Sequence, residues 1–200
     1  MTFQNFKTFV DETIEIISLD LDSLQKIADE GNAASVSSSL TTQTTIRPGD
    51  EKFYVRESPK ILRCTIPIAM VCFSVVDMFG QWINDHKDDD FGHSSSAFFQ
   101  KLAKKDDLKN KDKSERLKEA FRHGIMHSFF ARKGFSVTYP FYENNSLFMD
   151  ITSKGSTLDV RYLLKIVRLG IQNLKTELTN EQSELSKLAF EGYQRWQEKQ

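Results

Sequence analysis

The sequence predicts an all-α protein, an antiparallel helical bundle of about five to six helices with a small β-hairpin late in the chain. Apolar residues recur at three- and four-residue steps over most of the chain, which is typical of helices that bury one face. Strand-like patterns are confined to residues 135–152. The chain has 200 residues, 39% hydrophobic and 28% charged, and this suits one globular domain over 1–200.

The first predicted helix begins near Phe3 and carries an apolar stripe at helical spacing. We expect it to be capped again near Asp20 and to end at Gly31, because an isolated glycine is a common helix stop. Residues 35–45 are rich in Ser and Thr and predict a long loop, and loops of this length tend to be functional or mobile.

The second predicted helix runs from Ile66 to Phe79 and is apolar on nearly all sides, as expected of a central bundle helix. Thr65 is its predicted cap. Asp77 is the exception, since a buried carboxylate is costly unless it is paired. Structural ion pairs are the common use of such an acid, and the alternative is that Asp77 orients a functional side chain.

Several features favour a cytoplasmic protein. Cys64 and Cys72 lie in one helical segment and are too far apart for a disulfide, so we expect reduced thiols. The N-terminus lacks the cationic and apolar regions of a signal peptide. The apolar run from Ile66 to Gly80 is shorter than the ~20 residues of a membrane span and contains Asp77, so we expect no membrane segment.

Residues 86–118 are strongly charged. The acids from Asp88 to Asp90 are interpreted as a solvated turn, with no metal bound. A short helix is predicted from Ser95 to Lys104. The lysines of residues 101–118 are interspersed with acids, which favours a solvated charged loop over contacts to an RNA backbone.

The C-terminal third predicts two strands followed by two helices. Residues 135–140 and 146–152 are predicted to pair as a hairpin around a turn at 143–145. Ser156 or Thr157 is the predicted cap of a long helix. Thr179 and Gln182 fit a capping box for the last helix.

The segment from Lys113 to Gly134 is predicted to be the helix that carries the function. Either Asp112 or Ser114 can cap its first turn, and Gly134 suits a left-handed stop. Apolar and small residues recur on one side, which predicts a buried stripe formed by Leu117, Phe121, Gly124, Ile125 and Ser128.

This stripe fixes where the polar side chains of the same helix lie, since successive residues turn by about 100°. Arg122 and His127 fall on its two flanks, and His123 lies nearly opposite. Their five-residue separation rises roughly 7.5 Å, so a guanidinium and an imidazole can reach neighbouring atoms of one phosphate. Met126 and Phe130 also lie on the far side, and we expect a second copy of the chain to cover them.

The string RHGIMH, from Arg122 to His127, resembles the Arg-x4-6-His signature of the HEPN superfamily, in which Asn, Asp or His often follows the Arg. His123 meets that preference. HEPN proteins are small helical bundles, usually dimers with the motif at the interface, and many are metal-independent endoribonucleases. The toxin branch carries a Tyr two residues after the histidine, and Phe129 stands there in this chain.

The resemblance implies one HEPN-like domain, a homodimer, and a composite site built from Arg122 and His127 of both protomers. A neutral His127 would take the ribose 2′-hydroxyl proton, and Arg122 would stabilise the developing phosphate charge. His123 would orient substrate or its neighbours, and Asp77 is a candidate to orient Arg122 or His127. No cofactor is expected.

Three alternatives stay open for these residues. The same groove can serve as a non-catalytic module that binds RNA, a nucleotide or a protein. Arg122 and both histidines can instead satisfy polar groups at a helix interface. A metal site is the third, but His123 and His127 are too few ligands for zinc, and HGIMH lacks the Glu of HExxH, so no metal is expected.

Overall fold

The computed structural model describes residues 1–37, 64–85, 90–108, 111–118, 135–140, 143–152 and 155–199. Helices account for 73% of these residues, and the described strands form one small three-stranded sheet. The predicted fold class, a helical bundle with a small β element, is therefore confirmed.

Helix α1 (Phe3–Ser37) is a single helix of 35 residues. The predicted new cap at Asp20 and the predicted end at Gly31 are wrong, because the helix passes through both. An isolated glycine costs only about 1 kcal/mol in a helix. Burial of one face continues past Asp20, and the buried residues of α1 are Phe6, Val10, Ile14, Leu21 and Ala28.

Helix α2 (Thr65–Ile83) is the central helix, as predicted, and it extends beyond the expected end at Phe79. Thr65 is its first residue rather than its cap, and the cap position is Cys64, which has a left-handed φ of 66° and makes no side-chain cap bond. Its fully buried side chains include Ile68, Phe73, Val76, Phe79, Trp82 and Ile83.

By length and composition, α2 is also the one helix among the described residues that could cross a membrane. Its 19 residues exceed the apolar run expected from the sequence, so length alone does not exclude a span. A core helix has the same composition, and 56% of the apolar window is buried inside the fold. The packing of α2 therefore favours the core helix.

Two short helical elements follow α2. Helix α3 (Phe91–Ala97) begins four residues before the predicted start at Ser95, because Asp90 caps it by accepting from the backbone N–H groups of Gly92 and His93. A five-residue π-helix (Phe98–Leu102) continues it. Lys101 Nζ lies 3.1 Å from the Ile83 carbonyl oxygen and so neutralises the C-terminal end of α2. Helix α4 (Lys111–Arg116) comes next.

The sheet has three strands, β1 (Phe135–Thr138), β2 (Phe148–Thr152) and β3 (Gly155–Asp159), in the order β1-β3-β2. The predicted strands exist, but the predicted pairing of residues 135–140 with 146–152 is wrong. Strand β3 lies between them, parallel to β1 and antiparallel to β2. The hairpin of this region is formed by β2 and β3 instead.

Two long helices complete the chain, α5 (Val160–Glu177) and α6 (Glu184–Gln197). Ser156 and Thr157 belong to β3, so the predicted cap is wrong, and Asp159 caps α5 by accepting from the Tyr162 N–H. The predicted capping box at Thr179 is also wrong as the start of α6. Ser183 is the observed cap, and its hydroxyl accepts from the backbone N–H of Ser186.

Glycines allow α6 and α3 to approach α2 closely. A Cβ on Gly192 of α6 would lie 1.9 Å from the Trp82 carbonyl oxygen, so only glycine fits this contact. A Cβ on Gly80 would lie 2.2 Å from the Ser94 carbonyl oxygen of α3. Beside the first contact lies a group of packed rings, here called the aromatic cluster, formed by Phe3, Phe6, Phe9, Trp82, Phe190, Tyr193 and Trp196.

Candidate functional site

The described structure includes the first turns of the segment predicted to carry the function. Helix α4 is already formed at Lys111, and helical backbone continues through Leu117 and Lys118. The predicted caps Asp112 and Ser114 lie inside this helix rather than before it, so neither is the N-cap. Leu117, the first residue of the predicted stripe, is fully buried.

A carboxylate holds this helical segment to the start of α3. Asp90 Oδ2 accepts from Lys118 Nζ at 2.6 Å, while Asp90 Oδ1 accepts from the Gly92 N–H at 2.7 Å. The Lys118 hydrogen bond is the main reason that the pKa of Asp90 is lowered. The stability that Asp90 contributes is therefore present above its ordinary pKa and is lost as the pH falls through the lowered value.

The predicted functional residues themselves lie beyond this point. Arg122, His123 and His127 fall in residues 119–134, outside the described residues, as do Met126 and Phe130. Lys118 precedes Arg122 by four residues, about one helical turn in the predicted helix. Their arrangement, and the composite dimer site, stay predictions.

Asp77 is only partly buried, so its charge costs less than that of an enclosed carboxylate. Its Oδ1 accepts from Gln81 Nε2, one turn along α2, at 3.2 Å. The hydrogen bond to Gln81 is one structural use of this acid. The proposed action of Asp77 on Arg122 or His127 stays a prediction, since both partners lie outside the described residues.

The described residues contain no group of three or more His, Cys, Asp or Glu side chains that could hold a metal ion. His123 and His127 of the motif lie outside the described residues. Cys64 and Cys72 are both free thiols, as predicted. Burial raises the pKa of the Cys72 thiol well above its ordinary value, so this sulfur is an unreactive core group.

One polar cleft was not predicted from the sequence. It lies between α1, the first half of α5 and the loop before β2, and its volume is about 310 Å³. Cations at 161, 165 and 168 recur on one face of α5, and this spacing is the signal that could have revealed it. The cleft is lined by Gln25, Glu143, Asn144, Arg161, Tyr162, Leu164, Lys165 and Arg168.

Each cation of this cleft is paired with a carboxylate of a neighbouring element. Arg161 Nη2 lies 3.3 Å from Asp29, Lys165 Nζ lies 3.2 Å from Glu143, and Arg168 Nη2 lies 2.6 Å from Asp22. The positive charge is therefore balanced, and the cleft does not attract anions as an unpaired basic site would. Its ion pairs join α5 to α1 and to the loop, which is a structural role.

Buried polar groups line the inner side of the same region. Asp159 accepts from the Tyr162 N–H and from Asn144 Nδ2, both at 2.8 Å, and burial raises its pKa. Tyr139 donates its hydroxyl hydrogen to Asp29 at 3.2 Å. Burial, aided by the charge of Asp29, raises the pKa of Tyr139 to about 12, so the phenol stays protonated and keeps donating at neutral pH.

Comparisons with protein-family models, with characterised proteins and with solved structures found no match to this chain.

Proposed function

We propose that this protein is a HEPN-like, metal-independent endoribonuclease that acts as a homodimer. The observation that carries the proposal is the pair Arg122 and His127, five residues apart in the string RHGIMH. Two features are compatible with it: the helical bundle, and the helical backbone that leads from Lys111 to Lys118 toward the motif.

The chemistry follows from the two side-chain types. A neutral imidazole at His127 accepts the proton of a ribose 2′-hydroxyl, because histidine titrates near neutral pH. The 2′-oxygen then attacks the adjacent phosphorus and the bond to the 5′-oxygen breaks. The guanidinium of Arg122 binds the phosphate oxygens through two hydrogen bonds and stabilises their growing charge.

A general acid completes the reaction. The leaving 5′-oxygen takes a proton from the partner subunit's His127, so the dimer supplies both the base and the acid. The products are one RNA fragment ending in a 2′,3′-cyclic phosphate and another with a free 5′-hydroxyl. His123 orients the substrate or its neighbouring side chains.

The contacts of Leu117 and Lys118 stabilise the helical segment that precedes the motif. Leu117 is buried, and Lys118 is held by Asp90, which is itself fixed at the start of α3. A helix anchored one turn before Arg122 would limit the positions that the guanidinium can take. Holding a catalytic group in the reactive geometry lowers the activation barrier, because the entropy of positioning is lost before the reaction begins.

The proposal is tested by cleavage of a mixed-sequence single-stranded RNA in buffer containing EDTA. We expect the wild type to produce 2′,3′-cyclic phosphate ends. Arg122→Ala and His127→Ala should each reduce the rate by about 100-fold or more, since each removes a group needed in the transition state. His93→Ala, which changes an exposed histidine of α3, is the matched control and should keep the wild-type rate.

Two further measurements make the result decisive. Circular dichroism checks that each variant folds, and sedimentation gives the solution mass expected of a dimer. Cleavage that survives both substitutions would contradict the proposal. A wild type that binds RNA without cleaving it, and loses binding in Arg122→Ala, would instead identify the non-catalytic binding module.

A further inference from the structure

The outer face of α1 exposes large apolar side chains, which is unusual for a solvated helix. Ile16 is 62% exposed, Leu19 is 61% exposed and Ile27 is 43% exposed. Among the described residues, Met1 and Leu169 complete the set of exposed large hydrophobic residues. Three of the five therefore lie on one helix.

These three residues share one side of α1. Counting about 100° per residue, Leu19 and Ile27 lie within about 60° of Ile16. The side that packs into the protein lies about 120–160° away, and it is formed by Val10, Ile14, Leu21 and Ala28. The exposed stripe is thus separate from the stripe that faces the core.

The charges beside the exposed stripe are negative. Glu12, Asp20 and Glu30 are exposed and fall within about 40° of Ile16 around the helix. Lys26 lies at the margin, about 80° away. Over its whole length α1 carries seven carboxylates and two lysines. The outer face of α1, here called the acidic apolar face, therefore combines three apolar side chains with three acids.

This charge pattern selects among possible partners. A second copy docking α1 against α1 would bring like charges together, and an anionic membrane surface would be repelled. The described lysines of residues 101–118 have the opposite charge, but the leucines among them are buried and offer no apolar contact; these are Leu102, Leu108 and Leu117. The complementary surface is apolar and cationic at once.

We propose that the acidic apolar face of α1 binds a cationic amphipathic helix of a partner protein. Helices of this class present apolar side chains at three- and four-residue spacing with Lys or Arg beside them. The face from Glu12 to Glu30 is about 27 Å long, which accommodates about five turns of a partner helix. The inference is independent of the nuclease proposal, since it uses no residue of the motif.

The probe is a 20-residue peptide of Leu and Lys only, with Leu at helical a and d spacing, and the control peptide has the same composition in scrambled order. Binding is measured by fluorescence anisotropy with the full-length protein at two salt concentrations. We expect the amphipathic peptide to bind and the scrambled one to bind at least about tenfold more weakly, a difference of about 1.4 kcal/mol.

Two variants separate the apolar and charged contributions. Ile16→Ser/Leu19→Ser/Ile27→Ser removes the apolar side chains, and Glu12→Gln/Asp20→Asn/Glu30→Gln removes the adjacent charges. Each should weaken binding at least about tenfold. The matched control, Glu181→Gln/Glu191→Gln/Glu198→Gln, removes three exposed acids elsewhere and should change binding by less than about twofold.

Three results would overturn the inference. Equal binding of the scrambled peptide, or an equal loss in the control variant, would mean that only net charge is recognised. A wild-type dimer that becomes monomeric when Ile16, Leu19 and Ile27 are changed would identify a second copy as the occupant. Because these side chains are exposed, the variants should keep the wild-type circular dichroism and melting temperature.

Discussion

The two halves of α1 are held to the rest of the protein by different kinds of contact. The N-terminal half enters the aromatic cluster, where the Phe6 ring centroid lies 5.0 Å from that of Tyr193 and 5.8 Å from that of Trp82. The C-terminal half is held by the ion pairs of Asp22 and Asp29. The difference shows that one continuous helix can be held by ring packing at one end and by smaller buried side chains with added ion pairs at the other.

The magnitudes of these contacts are unequal. Removing a buried aromatic side chain typically costs about 3–5 kcal/mol, whereas an exposed ion pair contributes about 0–1 kcal/mol. Asp22 and Arg168 are both substantially exposed, so their pair belongs to the weak class. Leu21 and Ala28 add buried contacts in the C-terminal half, but neither is an aromatic residue. We therefore expect the N-terminal half to dominate the stability.

The largest effect on stability is expected for Phe6→Ala, in the N-terminal half of α1. Phe6 has no exposed surface and contacts several rings, so its removal should lower the free energy of unfolding by about 3–5 kcal/mol. Urea denaturation followed by circular dichroism measures the change. Ile16→Ala on the exposed side of the same helix is the control, with a change below about 0.5 kcal/mol. Equal effects of the two substitutions would refute the assignment of the core face.

A substitution next to the same cluster tests the close contact of α6 with α2. In a free helix Gly→Ala stabilises by about 1 kcal/mol. At Gly192 the added Cβ would meet the Trp82 carbonyl oxygen, so Gly192→Ala should instead destabilise by about 3 kcal/mol. The sign of the change is the test in urea denaturation. Lys187→Ala, at an exposed site of α6, should have almost no effect.

Asp159 is a buried polar group, and its carboxylate caps α5. Asp159→Ala removes the cap of α5 and should cost about 1 kcal/mol. Asp159→Asn keeps the acceptor oxygen for the Tyr162 N–H and removes a buried charge, but it loses the acceptor for Asn144, so at pH 7 it should cost less than Asp159→Ala. Thermal melts of both variants at neutral pH distinguish the two effects.

The pH dependence of the Asn substitution has a defined sign. Burial raises the pKa of Asp159, so the folded protein binds a proton more tightly than the unfolded chain. The stability contributed by this group therefore falls as the pH rises through the raised pKa. The stability of Asp159→Asn relative to wild type should therefore be highest at neutral pH and decrease in acid. A relative stability that increases in acid would contradict this assignment.

The smallest effect is expected for the ion pair between α1 and α5. Asp22→Ala, Arg168→Ala and the double variant form a cycle that isolates the pair. Its coupling energy should be below about 1 kcal/mol and should shrink in high salt, because both side chains are exposed. A coupling of several kcal/mol would show that charge holds the C-terminal half of α1 as firmly as the rings hold the other half.

The sequence was sufficient where burial follows a local period. Stripes at helical spacing located α2, α5 and α6, because apolar positions on one face depend only on neighbouring residues. Helix ends were less reliable, because Asp20 and Gly31 are compatible both with the end of a helix and with a helix that continues. Leu21 and Ala28 are buried after Asp20, so packing against distant residues stabilises the helix past that position.

The sheet and the cleft required tertiary information. Ser156 and Thr157 precede an apolar run and resemble a helix cap, but their backbone pairs with β1 and β2, which no local pattern reveals. The cations of the cleft were visible as a helical series, whereas their partners Asp22 and Asp29 are more than 100 residues away in sequence. For the motif, the structure describes the helical segment that precedes it, as far as Leu117 and Lys118. The arrangement of Arg122, His123 and His127 stays a prediction.

The length of α1 has a mechanical consequence. A helix of 35 residues is a rod of about 52 Å, far longer than α2 with its 19 residues. If the rod pivots at its ring-packed end, a tilt of about 5° displaces the other end by about 4–5 Å. Leu21, Ala28 and the ion pairs of Asp22 and Asp29 lie far from that end, so they resist a tilt that the ring contacts alone would permit. Any tilt that remains displaces Ser37 the most.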